Sequence, residues 1–383
     1  MVDFNSLLNS YSLEQRKPQF RQSILKEFFQ YKILDIIYNS KWSGNLVFLG
    51  GTSLRIIHDF RRFSDDIDFD ITGIYTENDH DELCNYICKR LTGDGIHVEL
   101  DRNKKTNRSK GSAYTRYISF PQMLKNQGIH NDPRKKFFVK LDAQRHNYGD
   151  FVYTPEERII NKFGIFTAVK VTPIDIILAM KYCSALERVK GRDFYDITEL
   201  VNITVPNHDY LVNRFRFGSL CEEYYGPVHL KEKLIEKISA IKENEWKEKA
   251  GEIERYIFNP AEVSKVLLFN KWILDRSFLR FFGLEVTGDN KVIDPSATKI
   301  KRFRLNKHNL SISIPIYPGS EYFTVTPKPD KINLFFTNTT GNKTGANLSE
   351  FPEKIFPLKG YNNMEFIINP ENLTPVSIEI CFY

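Results

Sequence analysis

Two aspartates two residues apart, Asp66 and Asp68, lie in Phe63-Ser64-Asp65-Asp66-Ile67-Asp68-Phe69-Asp70-Ile71, where acidic and apolar residues alternate. An alternation of period two marks a strand, so both carboxylates project from one face, roughly 7 Å apart. Carboxylates placed in this way repel unless a cation lies between them. Mg²⁺ commonly takes one or two carboxylates together with substrate phosphates, so metal-assisted phosphoryl chemistry gives the pattern a purpose. A solvated edge strand is the plainer alternative, but Ile67, Phe69 and Ile71 make the opposite face apolar and pack the strand into a sheet. Asp70 shares the acidic face and is expected to lie past the site.

Upstream, the apolar run Leu46-Val47-Phe48-Leu49 leads straight into Gly50-Gly51-Thr52-Ser53, and Leu54 to Phe60 reads as a helix. Paired glycines permit a tight turn and close approach to a ligand. The helix start offers free N–H groups and a positive dipole end, which suit a phosphate, and Thr52 and Ser53 add hydroxyls. Downstream, Asp142 ends the strand-like Phe137 to Leu141 and would complete a carboxylate triad from a neighbouring strand. Three such acids can hold two metals, one activating an acceptor oxygen and one neutralising a triphosphate. Lys181, Ser184 and Arg188 fall at i, i+3 and i+7 of a helix and share one face, where cations can hold triphosphate oxygens. Asp193 and Asp196 share a face at the start of the next helix, where a direct role and salt bridging to Arg188 or Arg192 are equally compatible with the pattern.

The surrounding elements must position these groups. Residues 1–42 read as helical, with Ile24, Phe28, Ile33 and Ile37 near helical spacing. Asp79 to Leu91 reads as a helix, and 96–120 as a hairpin joined by the basic loop Arg102 to Lys110. Thr172-Pro173-Ile174-Asp175 is a good helix start, with Thr172 as N-cap, and that helix is expected to run to about Lys190, with the next beginning at Asp193. The charged region 229–258 has apolar residues at helical spacing, and after about residue 272 short alternating runs and turn residues indicate strands. The expected fold is α+β: a catalytic domain of mixed sheet and helices over 1–165, a helical domain over 166–272, and a β-rich domain of open role over 273–383.

A chain of 383 residues exceeds the usual single domain, and its ordinary apolar content can build a sizeable core. The net charge of +6 fits a polyanionic partner as well as a lysine-rich solvated surface. Five scattered cysteines (Cys84, Cys88, Cys183, Cys221 and Cys381) form no CxxC pair, which speaks against a structural zinc site and a disulfide framework and fits a reducing, cytoplasmic setting. The first residues lack a basic segment followed by an apolar core, and no apolar run approaches the ~20 residues that span a bilayer, so neither a secretory signal nor a membrane role is expected.

Leu49-Gly50-Gly51-Thr52-Ser53-Leu54, Arg62-Phe63-Ser64-Asp65-Asp66-Ile67-Asp68-Phe69 and Lys181…Arg188…Arg192-Asp193-Phe194-Tyr195-Asp196 together resemble the AbiEii/AbiGii toxin family of nucleotidyltransferases, distant members of the DNA polymerase β-like superfamily. The likeness covers roughly residues 40–200, and residues 273–383 match no family pattern. It implies a bacterial toxin of a toxin–antitoxin or phage-defence system, paired with a separately encoded antitoxin, that moves a nucleotide from an NTP onto an acceptor with Mg²⁺ or Mn²⁺; some members modify the 3′ end of tRNA. By the same resemblance Gly50, Gly51 and Ser53 form the phosphate-binding turn, Asp66 and Asp68 bind metal, Lys181 contacts the nucleotide, and Asp193 or Asp196 supplies a late acidic residue. Arg102 to Lys110 and the cluster Lys299, Lys301, Arg302, Arg304 and Lys307 around Phe303 fit RNA phosphates, as they fit an ordinary solvated surface. A protein or small-molecule hydroxyl as acceptor, and a non-catalytic nucleotide-binding interaction module, are the competing readings.

Overall fold

The acidic strand is the middle one of a seven-stranded mixed sheet. Numbered along the chain, the strands are β1 (Leu46–Leu49), β2 (Asp66–Ile71), β3 (Glu99–Asp101), β4 (Tyr114–Ser119), β5 (Phe138–Gln144), β6 (Glu156–Lys162) and β7 (Ile165–Val171). They are ordered β3-β4-β5-β2-β1-β7-β6. β2 runs antiparallel to β1 and parallel to β5, and β1 runs parallel to β7. The computed structural model describes residues 3–101, 113–146, 148–224 and 227–269, and beyond them strand segments between 285 and 382. The basic loop Arg102 to Lys110 lies outside the described residues, as do the side chains of the cluster around Phe303.

The helices are α1 (Phe4–Asn9), α2 (Arg21–Tyr38), α3 (Gly50–Ile57), α4 (Glu77–Gly93), α5 (Met123–Asn126), α6 (Ile174–Glu187), α7 (Gly191–Leu200), α8 (His208–Phe217), α9 (Pro227–Ser239), α10 (Glu243–Gly251) and α11 (Val263–Leu267). α2 packs on β5 and β7 and against α4, and it is buried on nearly every side. Its apolar residues, with Phe48, Ile67, Phe69, Ile71 and Leu141 of the sheet, form the core. α4 starts with a capping box in which Thr76 and Asp79 satisfy each other's backbone N–H groups. The hairpin expected over 96–120 is the antiparallel pair β3–β4.

Two expectations about helix ends are corrected. Thr172 does not cap α6: its N–H stays in the sheet, donating to the Phe48 carbonyl at 3.0 Å, and its hydroxyl meets Tyr153 Oη at 3.0 Å. α6 then ends at Glu187, Arg188 is extended, and α7 starts at Gly191 instead of Asp193. The early start follows from packing. A Cβ at Gly191 would collide with the Lys249 carbonyl at the end of α10, so glycine lets the two helices touch there.

The chain divides into two compact units, Met1–Glu222 with Lys237–Lys271, and Glu223–Glu236 with Trp272–Tyr383. The first is a mixed α/β core of the seven-stranded sheet and its helices. In the second, strand segments pair into two four-stranded antiparallel sheets. The polar stretch Asn338 to Asn347 is partly strand, because Lys343–Asn347 pairs with Ile332–Asn338.

A charged group sits inside the core of the first unit. Glu27 of α2 is 2.7 Å from Arg55, 2.7 Å from Lys162 and 2.9 Å from the Tyr11 hydroxyl. Burial alone would raise the Glu27 carboxyl, but the two cations outweigh it and hold the group below its ordinary value. Removing one partner of such a pair leaves the others uncompensated. Glu27→Ala is expected to lose about 3–5 kcal/mol in urea denaturation at pH 7. A depressed carboxyl contributes stability above its unfolded value, so the gap between parent and variant should close as pH falls below the usual glutamate range.

Candidate active site

The register of the sheet builds the site. Leu49 of β1 lies opposite Asp68 of β2, and Asp68 lies opposite Asp142 of β5. Asp66 is opposite Lys140 in the same pairing. Alternation therefore puts Asp66, Asp68, Lys140 and Asp142 on one face, while Ile67, Phe69 and Leu141 fill the core on the other. Gly50 follows Leu49 with φ +82°, and a Cβ there would run into the Asp68 carboxylate. Glycine at this point lets helix α3 begin against the acidic strand. These groups line a cleft of about 540 Å³.

Burial and the neighbouring charges of Asp142 and Asp66 push Asp68 up to about 7. Burial also raises Asp66, with Asp142 and Asp65 adding to it against Lys140 and Arg192. Lys140 donates to Asp142 and stands 4.0 Å from Asp66, while Thr115 takes the other Asp142 oxygen at 2.5 Å. Among the described residues no three His, Cys, Asp or Glu side chains converge in a metal-holding group. Both Asp142 oxygens are engaged, one by Lys140 and one by Thr115. The donor set nonetheless suits a hard divalent cation, because Asp66 and Asp68 offer oxygens on one strand face, where burial and then the charges of Asp142 and Asp66 raise Asp68. The sequence reading gave no role to Lys140; its one signal is its place two residues before Asp142 on the same strand face.

The opposite wall comes from α6 and α7. Lys181, Ser184, Arg188 and Arg192 all line the cleft. Arg188 reaches it from extended backbone after the helix end, not from the face shared by Lys181 and Ser184 as expected. Asp193 and Asp196 are fully buried and face cations. Asp196 accepts a two-pronged pair from Arg62 at 2.5 and 2.6 Å and lies 2.7 Å from Lys181. Asp193 holds Lys181 at 3.1 Å and Arg188 at 3.2 Å. Burial opposes ionisation of Asp196, but Arg62 and Lys181 outweigh it and hold the carboxyl below its usual value. Arg62 is the residue whose role the sequence reading missed. It also packs beneath Gly51, where a Cβ would sit 2.5 Å from its guanidinium.

Gly50 and Gly51 face the cleft; Thr52 and Ser53 are buried away from it. Thr52 donates to the Asp66 carbonyl, and Ser53 Oγ has no hydrogen-bond partner among the described residues. Asp70 is likewise spoken for, accepting from the His146 N–H at 2.8 Å and the Tyr153 hydroxyl at 2.7 Å.

The family comparison identifies the protein as a nucleotidyltransferase. More narrowly, it belongs to the family described as nucleotidyl transferase AbiEii toxin, Type IV TA system, whose model matches residues 32–267. It is therefore a nucleotidyltransferase toxin of the toxin–antitoxin or phage-defence type. Among solved structures, the nucleotidyltransferase toxin MenT4 from Mycobacterium tuberculosis H37Rv is 17% identical, with 74% of this chain and 94% of that chain covered and a TM-score of 0.44. JHP933 from Helicobacter pylori is 15% identical, with 66% and 91% covered and a TM-score of 0.38. A search of the curated proteins finds no match. Among the described residues no helix is long and apolar enough to cross a membrane.

Asp68 supplies a test of the crowded carboxylates. Its folded value lies above the unfolded 3.8, so its proton favours the native state at low pH, and that advantage disappears as pH rises through about 7. Asp68→Asn removes the charge and keeps the shape. In metal-free protein the variant should melt about 3 °C or more above the parent at pH 8, with the gap vanishing near pH 4, as followed by circular dichroism.

Proposed function

We propose that the cleft transfers a nucleotide from an NTP to the 3′ end of an RNA, tRNA above all, with Mg²⁺ or Mn²⁺, and that a separately encoded antitoxin restrains it. The observation that carries the reading is the sheet register. It sets Gly50, Asp68 and Asp142 side by side and faces them with Lys181, Arg188 and Arg192. In this reading Gly50 and Gly51 present backbone N–H groups to the phosphates, and the cations of the opposite wall hold the triphosphate oxygens. Thr52 acts from beneath, its hydroxyl tying the turn to the Asp66 carbonyl of β2, and Ser53 is buried beside it. Asp193 and Asp196 orient Lys181, Arg188 and Arg62.

Asp66 and Asp68, with Asp142 beside them, would hold the divalent cation, whose contribution is to neutralise charge on the triphosphate and on the attacking oxygen. The acceptor hydroxyl attacks the α-phosphorus, its proton passes to water, and pyrophosphate leaves. The net charge of +6 and the cation wall support a polyanionic acceptor. We assign the β-rich part after residue 273 to partner binding, with the antitoxin, a second copy or the acceptor as its ligand.

The test incubates full-length protein with total bacterial RNA, Mg²⁺ and each labelled NTP in turn. Label in a tRNA-sized band is expected, reduced at least ~100-fold in Asp66→Ala and in Asp68→Asn, the scale of losing an electrostatic group used in the transition state. Undiminished transfer in Asp68→Asn would refute the carboxylate assignment. Mg²⁺-dependent NTP binding without labelled RNA would move the acceptor to a protein or a small hydroxyl compound.

A further inference from the structure

A second cavity, of about 760 Å³, opens beside the cleft, and the two share Lys190 and Arg192. Gln19, Arg255 and Tyr256 line its other side. Its volume falls within the ~300–1,000 Å³ of sites that take a single small molecule or a chain end, and is far too small for a duplex. Among the described residues none of Lys190, Arg192 and Arg255 is held in an ion pair, whereas Lys181 and Arg188 in the neighbouring cleft are. Lys190, Arg192 and Arg188 lie within five residues, and burial together with the charges of Arg188 and Arg192 lowers Lys190. Asp193 and Glu252 act on Lys190 in the opposite sense, so the cluster is a partly compensated group of cations.

The second cavity is also tied to the chemistry. The Tyr256 hydroxyl donates to Asp65 at 2.8 Å, and Asp65 immediately precedes Asp66. Arg192 influences both Asp66 and Tyr256 electrostatically, so it lies within reach of both chambers. Gly191, packed against the Lys249 carbonyl, fixes the backbone that carries the two shared cations. Arg255 is exposed and lies over the buried Tyr256 ring at 4.7 Å, which holds a guanidinium plane at the cavity. Single-stranded RNA is gripped in part in this manner, with bases stacked on arginine planes and phosphates on cations. Glu252 and Glu254 line the cavity as well and repel phosphate, so a polyanion there is held by Lys190, Arg192 and Arg255.

We propose that this second cavity receives the single-stranded 3′ end of a polynucleotide acceptor, and that Lys190 and Arg192 form the wall where its terminal hydroxyl meets the donor nucleotide. The inference rests on the RNA-acceptor reading above and adds where the acceptor sits. Arg255 is exposed and outside the donor cleft, so its replacement separates acceptor binding from donor binding.

The experiment measures binding of a fluorescein-labelled 12-nucleotide single-stranded RNA with a free 3′ hydroxyl by anisotropy across a salt series. Full-length parent, Arg255→Glu and Gln19→Trp are compared, with NTP binding and thermal melts measured on each. Arg255→Glu should weaken RNA binding about tenfold or more and reduce the slope of log K against log salt by about 0.7, the loss of one single-strand phosphate contact. Gln19→Trp fills the cavity without changing charge and should weaken binding with the slope unchanged. NTP affinity should stay within about twofold of the parent in both variants. Parental RNA binding in both variants would overturn the cavity assignment, while labelled RNA from the parent would leave the RNA-acceptor reading standing. Equal loss of RNA and NTP binding in folded variants would also overturn it, since a structural role predicts that result. A parent that neither binds nor labels RNA would remove both readings together.

Discussion

The buried fork between Arg62 and Asp196 is the constraint on which the rest of the site depends. Arg62 leaves the chain just before the acidic strand, and Asp196 sits in α7, so the pair fixes the cation wall relative to the carboxylates. Both side chains are essentially without solvent contact. A charge in such a place is tolerated only when its partner is held in good geometry, and each partner here is the condition for the other. Lys181 is shared between Asp196 and Asp193, which extends the network toward Arg188. The backbone follows the same path, because the Phe63 N–H donates to the Tyr256 carbonyl at 2.7 Å. Position in this site is enforced by charge pairs that cannot drift without exposing a bare ion to a low-dielectric interior.

The acidic side is organised by the opposite principle. Asp66, Asp68 and Asp142 are brought together by main-chain register, which takes no account of their repulsion, and burial together with that repulsion elevates Asp68. Lys140 relieves part of it from within the same strand face. Stability and function pull apart at such positions, and the large apolar core around α2 and the sheet offsets the difference.

Much of this was legible in the sequence because it follows from short periods. Alternation across Asp66 to Ile71 gave both the acidic face and the buried one, whereas the helix expected over Leu54 to Phe60 is α3, which already starts at Gly50 and ends at Ile57. What the sequence did not disclose depends on contacts between distant segments. Arg188 looked like a helix-face residue because nothing local shows that α6 stops at Glu187. The start of α7 is set by the Lys249 carbonyl, which lies over fifty residues away. Thr52 and Ser53 read as ligand donors because a hydroxyl facing a strand and a hydroxyl facing a phosphate look alike in one dimension. Arg62 and Lys140 were hidden for the same reason: an arginine or lysine beside a motif declares its role only when its partner is known.

The glycine that abuts Asp68 also limits how this enzyme can diversify. With φ at +82° and no room for a Cβ, position 50 cannot carry a side chain that would sense the incoming base. The floor of the cleft is thus closed to variation, since a change there strikes the acidic strand directly. Any discrimination among bases must be written on the far wall, where Ile177, Met180 and Ser184 of α6 face the same space from a helix that accepts substitution. The scaffold therefore separates a sterically closed floor from a far wall of side chains, on which Ile177 and Met180 stand beside the Lys181 that the buried aspartates hold.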